Sequence, residues 1–189
     1  APYNPSETNL LNRRKSPSLK HPFGTDNYGR DILSRIIFGS RISLQVGIIS
    51  VSIGLFFGGL IGLFAGYIGG IFDNVVMRIM DILLAFPSLI LAMVVIVALG
   101  RNIFNAMIAI GVWFAPNYAR IGRSATISIK EEQFVEAARA IGSNDIRIIL
   151  KHVLPNSLTS LIVYSTLNIG VAFLMEATLS FLGLGIQPP

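Results

Sequence analysis

The 189-residue sequence contains no cysteine. That excludes disulfides, thiolate metal sites and thiol nucleophiles together. Its two histidines, His21 and His152, stand far apart with no second His or Cys near either, so an imidazole-based metal centre is not expected. Charge is scarce: Asp, Glu, Lys and Arg make up 13% of residues, against about 25% in an ordinary globular chain. No G-x-x-x-x-G-K-[ST], G-x-S-x-G or H-E-x-x-H is present, which removes a phosphate cradle, a nucleophile elbow and a zincin site. The net charge is +5, yet no Lys/Arg block is longer than Arg13-Arg14-Lys15. That is no nucleic-acid surface, and it suits juxtamembrane basic residues instead. No charged stretch followed by a short apolar one opens the chain, so no signal peptide is read.

What remains is apolar. Hydrophobic residues make up 52% of the chain, and the runs 42–72, 82–100, 102–119 and 152–175 carry no Asp, Glu, Lys or Arg. Together they are about half of it. Charges sorted into blocks in this way describe a chain of two solvents, one aqueous and one hydrocarbon. The expected fold is therefore an all-α membrane protein, a polytopic helical bundle that crosses a membrane several times.

Residues 1–41 form one expected domain. Pro2, Pro5, Pro17, Pro22 and the stretch Gly24–Gly29 read as loop and turn, followed by a short interfacial helix at Asp31–Arg41. Residues 42–189 form the other, with four spans at about 42–67, 75–99, 103–119 and 157–180, each close to the roughly 20 residues that cross a bilayer. Pro87 predicts a kink in the second span, and Pro116 lies near the end of the third. Glycine recurs at Gly54, Gly58, Gly62, Gly66 and Gly70. Residues four apart share a helix face, so these predict a smooth ridge for helix packing. With distant N-terminal charges set aside, one side of the membrane holds Arg30, Arg35, Arg41 and Arg101. The other holds Arg78, Arg120, Arg123, Lys130, Arg139, Arg147 and Lys151. The excess places the loop at about 120–156 in the cytoplasm and residues 1–41 outside.

That loop reads as two short helices. The first carries Phe134, Ala137, Ala138 and Ile141 on one side and ends at Gly142. Ser143 or Asn144 caps the second, which carries Ile146, Ile149, Leu150 and Val153 and is ended by Pro155. A helix pair of this kind in an aqueous loop is a surface for docking. Arg78 and Asp81, three residues apart on one helix, are candidates for an ion pair or a gating pair. Glu176 is an acid at the end of an apolar segment and a candidate for the transport pathway.

Glu136-Ala137-Ala138, then Gly142, then Leu154-Pro155 resembles the EAA loop of permease subunits in binding-protein-dependent ABC importers, with His152 where that loop has an aliphatic residue. His21–Asp26, Gly29-Arg30-Asp31, Met77-Arg78, Asp81, Ala85-Phe86-Pro87 and Leu179–Gly185 resemble the C-type permease of the dipeptide/oligopeptide/nickel branch. The resemblance implies a MetI-like permease fold of six spans in the cell (inner) membrane. The four read here, with a start at Ala1 and an end at Gln187-Pro188-Pro189, then suggest a piece of a longer subunit. It also implies a coupling role for Glu136, Ala137, Ala138, Gly142, Leu154 and Pro155. The implied partners are a homologous permease, two ABC ATPase subunits, an extracytoplasmic substrate-binding protein and membrane lipid. No cofactor would be bound by this chain, and ATP would be used by the partner ATPases. The cargo would be peptides or nickel. The competing reading is an ATPase-independent secondary transporter or channel, for which inverted repeats with broken spans would speak; none is found.

Overall fold

A computed structural model describes residues 1–185; the Gln187-Pro188-Pro189 end lies outside the described residues. Two compact units emerge, Ala1–Gln45 and the chain from Val46 onward. Among the described residues the regular structure is helical, a short 3-10 turn at Leu10–Asn12 followed by six helices: α1 (Ile32–Ile68), α2 (Gly70–Ala85), α3 (Ser88–Leu99), α4 (Ile103–Lys130), α5 (Gln133–Ala140) and α6 (Asp145–Phe181).

The first unit is a loop folded around two carboxylates. Asp26 accepts the backbone N–H of Tyr28 (2.8 Å) and of Arg30 (3.0 Å) on Oδ1, and the Arg30 Nε–H (2.7 Å) on Oδ2. Asp31 caps α1 by accepting the Ser34 N–H at 2.8 Å, and its other oxygen lies 2.9 Å from His21 Nδ1. Gly29 has a φ of +75°, and a Cβ there would collide with the backbone of Asn9. Burial pushes both carboxyls up, but the bonds from Arg30 and Tyr28 to Asp26, and from Ser34 and His21 to Asp31, outweigh it and hold both below the ordinary value. A group depressed on folding contributes stability above its unfolded value, about 3.9 for Asp, and that contribution is lost as pH falls through the folded value. Amide protection at Tyr28, Arg30 and Ser34, corrected for intrinsic exchange, is therefore expected to hold from pH 7 to 5 and to collapse below about 4. Asp26→Asn should remove the acid-dependent part at Tyr28 and Arg30. Protection at Tyr28 and Arg30 whose dependence on acid is the same in the Asp26→Asn protein would refute this.

Four boundaries differ from the sequence expectation, each for a physical reason. The interfacial helix at Asp31–Arg41 and the span at 42–67 are one helix, because charge marks where lipid ends and not where a helix ends. The second span starts at Gly70 and is broken at Phe86-Pro87, with α2 and α3 bent by 98°. Phe86 is extended (φ −83°, ψ 134°), as the residue before proline prefers. The third span continues through Pro116 to Lys130; proline removes one donor there but does not stop the helix. Pro155 does not end the second loop helix either. A π-helical turn at Ile149–Val153 widens the backbone just before it, and the chain stays helical from Asp145 through Phe181.

Two helices, α1 and α6, are long and apolar enough to cross a membrane, and a third span results if α2 and α3 count as one bent segment. Helix α4 falls outside that set. It is the central helix, packed by α1, α2, α3 and α6, and it buries Gly111, Phe114, Tyr118 and Ala119 rather than offering them to lipid.

Candidate functional site

The centre of the bundle is a close approach of α1 and α4. A Cβ placed on Gly58 or Gly62 would overlap the backbone of Ala115 or Ala119, and one on Gly54 would lie 2.7 Å from the Phe114 Cβ. At Gly66 it would meet the Arg123 carbonyl at 2.7 Å. Four glycines on one helix thus face Gly111, Ala115, Ala119 and Arg123 on the other, both series advancing four residues at a time. The approach is backbone against backbone. Gly70 is a correction: it opens α2 with a φ of +61°, has no neighbour within 4 Å of its would-be Cβ, and serves the turn after Gly69 instead of the ridge. Around the ridge, the Tyr118 hydroxyl donates to Ser165 Oγ at 2.9 Å, which donates onward to the Leu161 carbonyl at 2.7 Å. A polar link therefore joins α4 to α6 inside an apolar core, with each donor satisfied.

Two carboxylates of α2, Asp73 and Asp81, pair across to α4. Arg123 forks onto Asp73, with Nε and Nη2 donating to the two carboxylate oxygens at 2.5 and 2.6 Å. Arg120 donates to Asp81 at 2.6 Å. The expected Arg78–Asp81 pair is therefore replaced by Asp81–Arg120. The i, i+3 spacing permits a pair along one helix, but a guanidinium from the facing helix offers better geometry. Arg78 lines a cleft of about 580 Å³ with Asn74, Met77, Asp81, Arg120 and Arg123. Glu176 is buried in α6 and accepts the Ser180 hydroxyl at 2.8 Å.

The loop after α4 is a helix pair held by its own small core. Val135 and Ala138 of α5 and Ile148 and Val153 of α6 are buried with Leu63 and Tyr67 of α1. Helix α5 ends in a Schellman motif: the Gly142 N–H donates to the Arg139 carbonyl (2.9 Å) and the Ser143 N–H to that of Ala138 (3.0 Å). This requires the left-handed backbone of Gly142, at φ +81°. Asn144, not Ser143, caps the next helix by accepting the Arg147 N–H at 2.9 Å. The buried faces correct the expectation. Phe134, Ala137 and Ile141 turn outward, as do Ile146 and Leu150, while Val135, Ala138 and Ile148 turn inward. Glu136, Ala137, Gly142 and Pro155 are exposed and Leu154 is half-buried. The outward side is apolar, with Ile141 84%, Ile146 68% and Leu150 58% exposed.

Sequence reasoning missed Tyr67, Lys130, Asp73 and Arg123 as structural anchors. Asp73 did carry a signal, since it is one of the few charges outside the polar segments.

Residues 58–189 match the family model described as the binding-protein-dependent transport system inner membrane component. The chain is 50% identical over 184 residues to the dipeptide transport system permease protein DppC of Alkalihalophilus pseudofirmus, covering 97% of this chain and 60% of that protein. It is 46% identical over 178 residues to the glutathione transport system permease protein GsiD of Escherichia coli, covering 94% and 59%. The chain thus spans about 60% of the length of these relatives, which are transport permeases and not enzymes. A chain of the MetNI methionine ABC transporter, solved in inward facing conformations, superposes with a TM-score of 0.67 at 25% identity, over 79% of this chain and 74% of that one. The fold is that of the MetI-like permeases, and the chain belongs to the family of binding-protein-dependent transport system inner membrane components.

Proposed function

We propose that this chain is a C-type permease subunit of an ATP-driven importer for small peptides. It would supply half of a translocation pathway, with a homologous permease supplying the other half. Its cargo would arrive on an extracytoplasmic substrate-binding protein and be moved by two separate ABC ATPase subunits, which use the ATP; this chain binds no nucleotide of its own. The relatives are named for dipeptide and glutathione transport, which favours peptides over nickel.

The observation that carries the reading is the two-faced helix pair at 131–153. One face is fixed to the bundle by a buried apolar core, and the other presents Ile141, Ile146 and Leu150 to the aqueous side. An exposed apolar patch on a rigid support has the form of a docking surface, and its burial in a partner groove would be favourable. Glu136, Ala137 and Gly142 share this exposed region. Docked there, an ATPase dimer that closes on ATP would move the helix pair and, through it, the bundle.

The cysteine-free sequence makes the test direct. Ile141→Cys, with a second cysteine in the groove of the candidate ATPase subunit, should crosslink in membranes with a yield that changes on adding nucleotide. An absence of any crosslink, with both proteins present and folded, would favour the ATPase-independent transporter or channel.

A further inference from the structure

We infer that Tyr67 is a positioning residue, the joint that makes the 131–153 helix pair and the α1–α4 ridge move as one body; this rests on the coupling function just proposed. The helix pair is attached to the bundle through chain connectivity at two places. One is the Glu131-Glu132 turn after α4, and the other is the π-helical turn at Ile149–Val153 within α6. Two attachments leave rotation about the line between them. A third, off that line, removes it.

Tyr67 supplies the third from a helix remote in sequence. It lies in the last turn of α1, is 8% exposed, and packs among Val135, Ala138 and Ile148. Its hydroxyl donates to Asp145 Oδ1 at 2.6 Å, across 78 residues of sequence. Its carbonyl, left without an intrahelical partner at the helix end, accepts Lys130 Nζ at 3.1 Å. Lys130 and Arg139 also place their charges 5.9 Å from the ring centroid. One residue thus touches α1, the end of α4, α5 and the start of α6. Tyr67 itself cannot drift, because Gly66 beside it is closed onto Arg123 and Thr126. A displacement of the helix pair is therefore delivered to the ridge and not absorbed by the turns.

The test uses the complete transporter assembly carrying this chain, reconstituted in lipid. Tyr67→Phe keeps the ring in its apolar setting and removes the bond to Asp145. Substrate taken up per ATP hydrolysed should fall by about tenfold, the order expected for losing a hydrogen bond to a charged group. The Ile141→Cys crosslink to the ATPase should be retained. Adding Asp145→Ala to Tyr67→Phe should lower the ratio no further, because both act through one bond. An unchanged ratio in Tyr67→Phe overturns the proposal. So does a crosslink that falls in step with uptake, since Tyr67 would then only help the docking surface to fold. Failure of the Ile141→Cys chain with Tyr67 intact to crosslink strikes the coupling reading itself and is seen before any Tyr67 variant is made.

Discussion

Gly62→Leu is expected to abolish the folded bundle. The first atom added, Cβ, already falls inside the Ala119 backbone, and backbone cannot rotate away as a side chain can. Accommodation requires α1 and α4 to separate along the ridge, which also loosens Gly58 on Ala115 and Gly66 on Arg123. Overpacking of a core usually costs about 1–3 kcal/mol when side chains can yield. Here they cannot, and the loss should exceed that range, a large part of the roughly 5–15 kcal/mol that holds a domain together. The chain has a single tryptophan, Trp113, on α4 with its ring 4.7 Å from that of Phe114. Its fluorescence during thermal unfolding in lipid nanodiscs reads the ridge directly. Gly170→Ala is the matched control, because a Cβ there meets nothing within 4 Å, and alanine should if anything favour its helix by up to about 1 kcal/mol. A Gly62→Leu protein that melts with the unsubstituted one would refute the close approach.

That ridge was legible because a four-residue repeat of glycine has one geometric meaning on a helix. The end of α5 was legible for a similar reason: Gly142 has a left-handed backbone and closes the helix that carries Glu136. What escaped was of another kind. The short helix α5 and the residue after it have apolar side chains on two faces, Phe134 and Ile141 on one and Val135 and Ala138 on the other. Over eight residues, periodicity cannot say which face meets the bundle. Leu63 and Tyr67, which decide it, belong to a helix some 70 residues away in sequence. The continuity of α1 through Arg41 and of α4 through Pro116 was hidden because hydropathy locates solvent boundaries, and these helices extend beyond them. The partner of Asp81 escaped for the same reason as the partner of Tyr67. Pairing along one helix can be read from spacing, whereas pairing between helices depends on how they are packed.

Asp73 offers the second large effect, and it separates the two ion pairs that the sequence could not. Asp73 sits in the first turn of α2, where a carboxylate is favoured by the helix dipole, and its side chain is 10% exposed. Both of its oxygens are taken by Arg123. Asp73→Ala strands a guanidinium at the α2–α4 contact and opens the turn at Gly69-Gly70 that the pair secures. Breaking a buried pair costs about 3–5 kcal/mol. Arg123 is 37% exposed, so water recovers part of this, and a loss of about 1–3 kcal/mol is expected. Asp81→Ala, whose partner Arg120 is 54% exposed, should cost at most about 1 kcal/mol. The exchange Asp73→Arg with Arg123→Asp should recover part of the loss, since the pair is restored, but not all, because the arginine then opposes the dipole of α2. Thermal unfolding followed at Trp113 measures all three. Equal destabilisation by Asp73→Ala and Asp81→Ala would mean that the fork at Asp73 carries no more than a surface pair, and that the turn between α1 and α2 is held by the glycines alone.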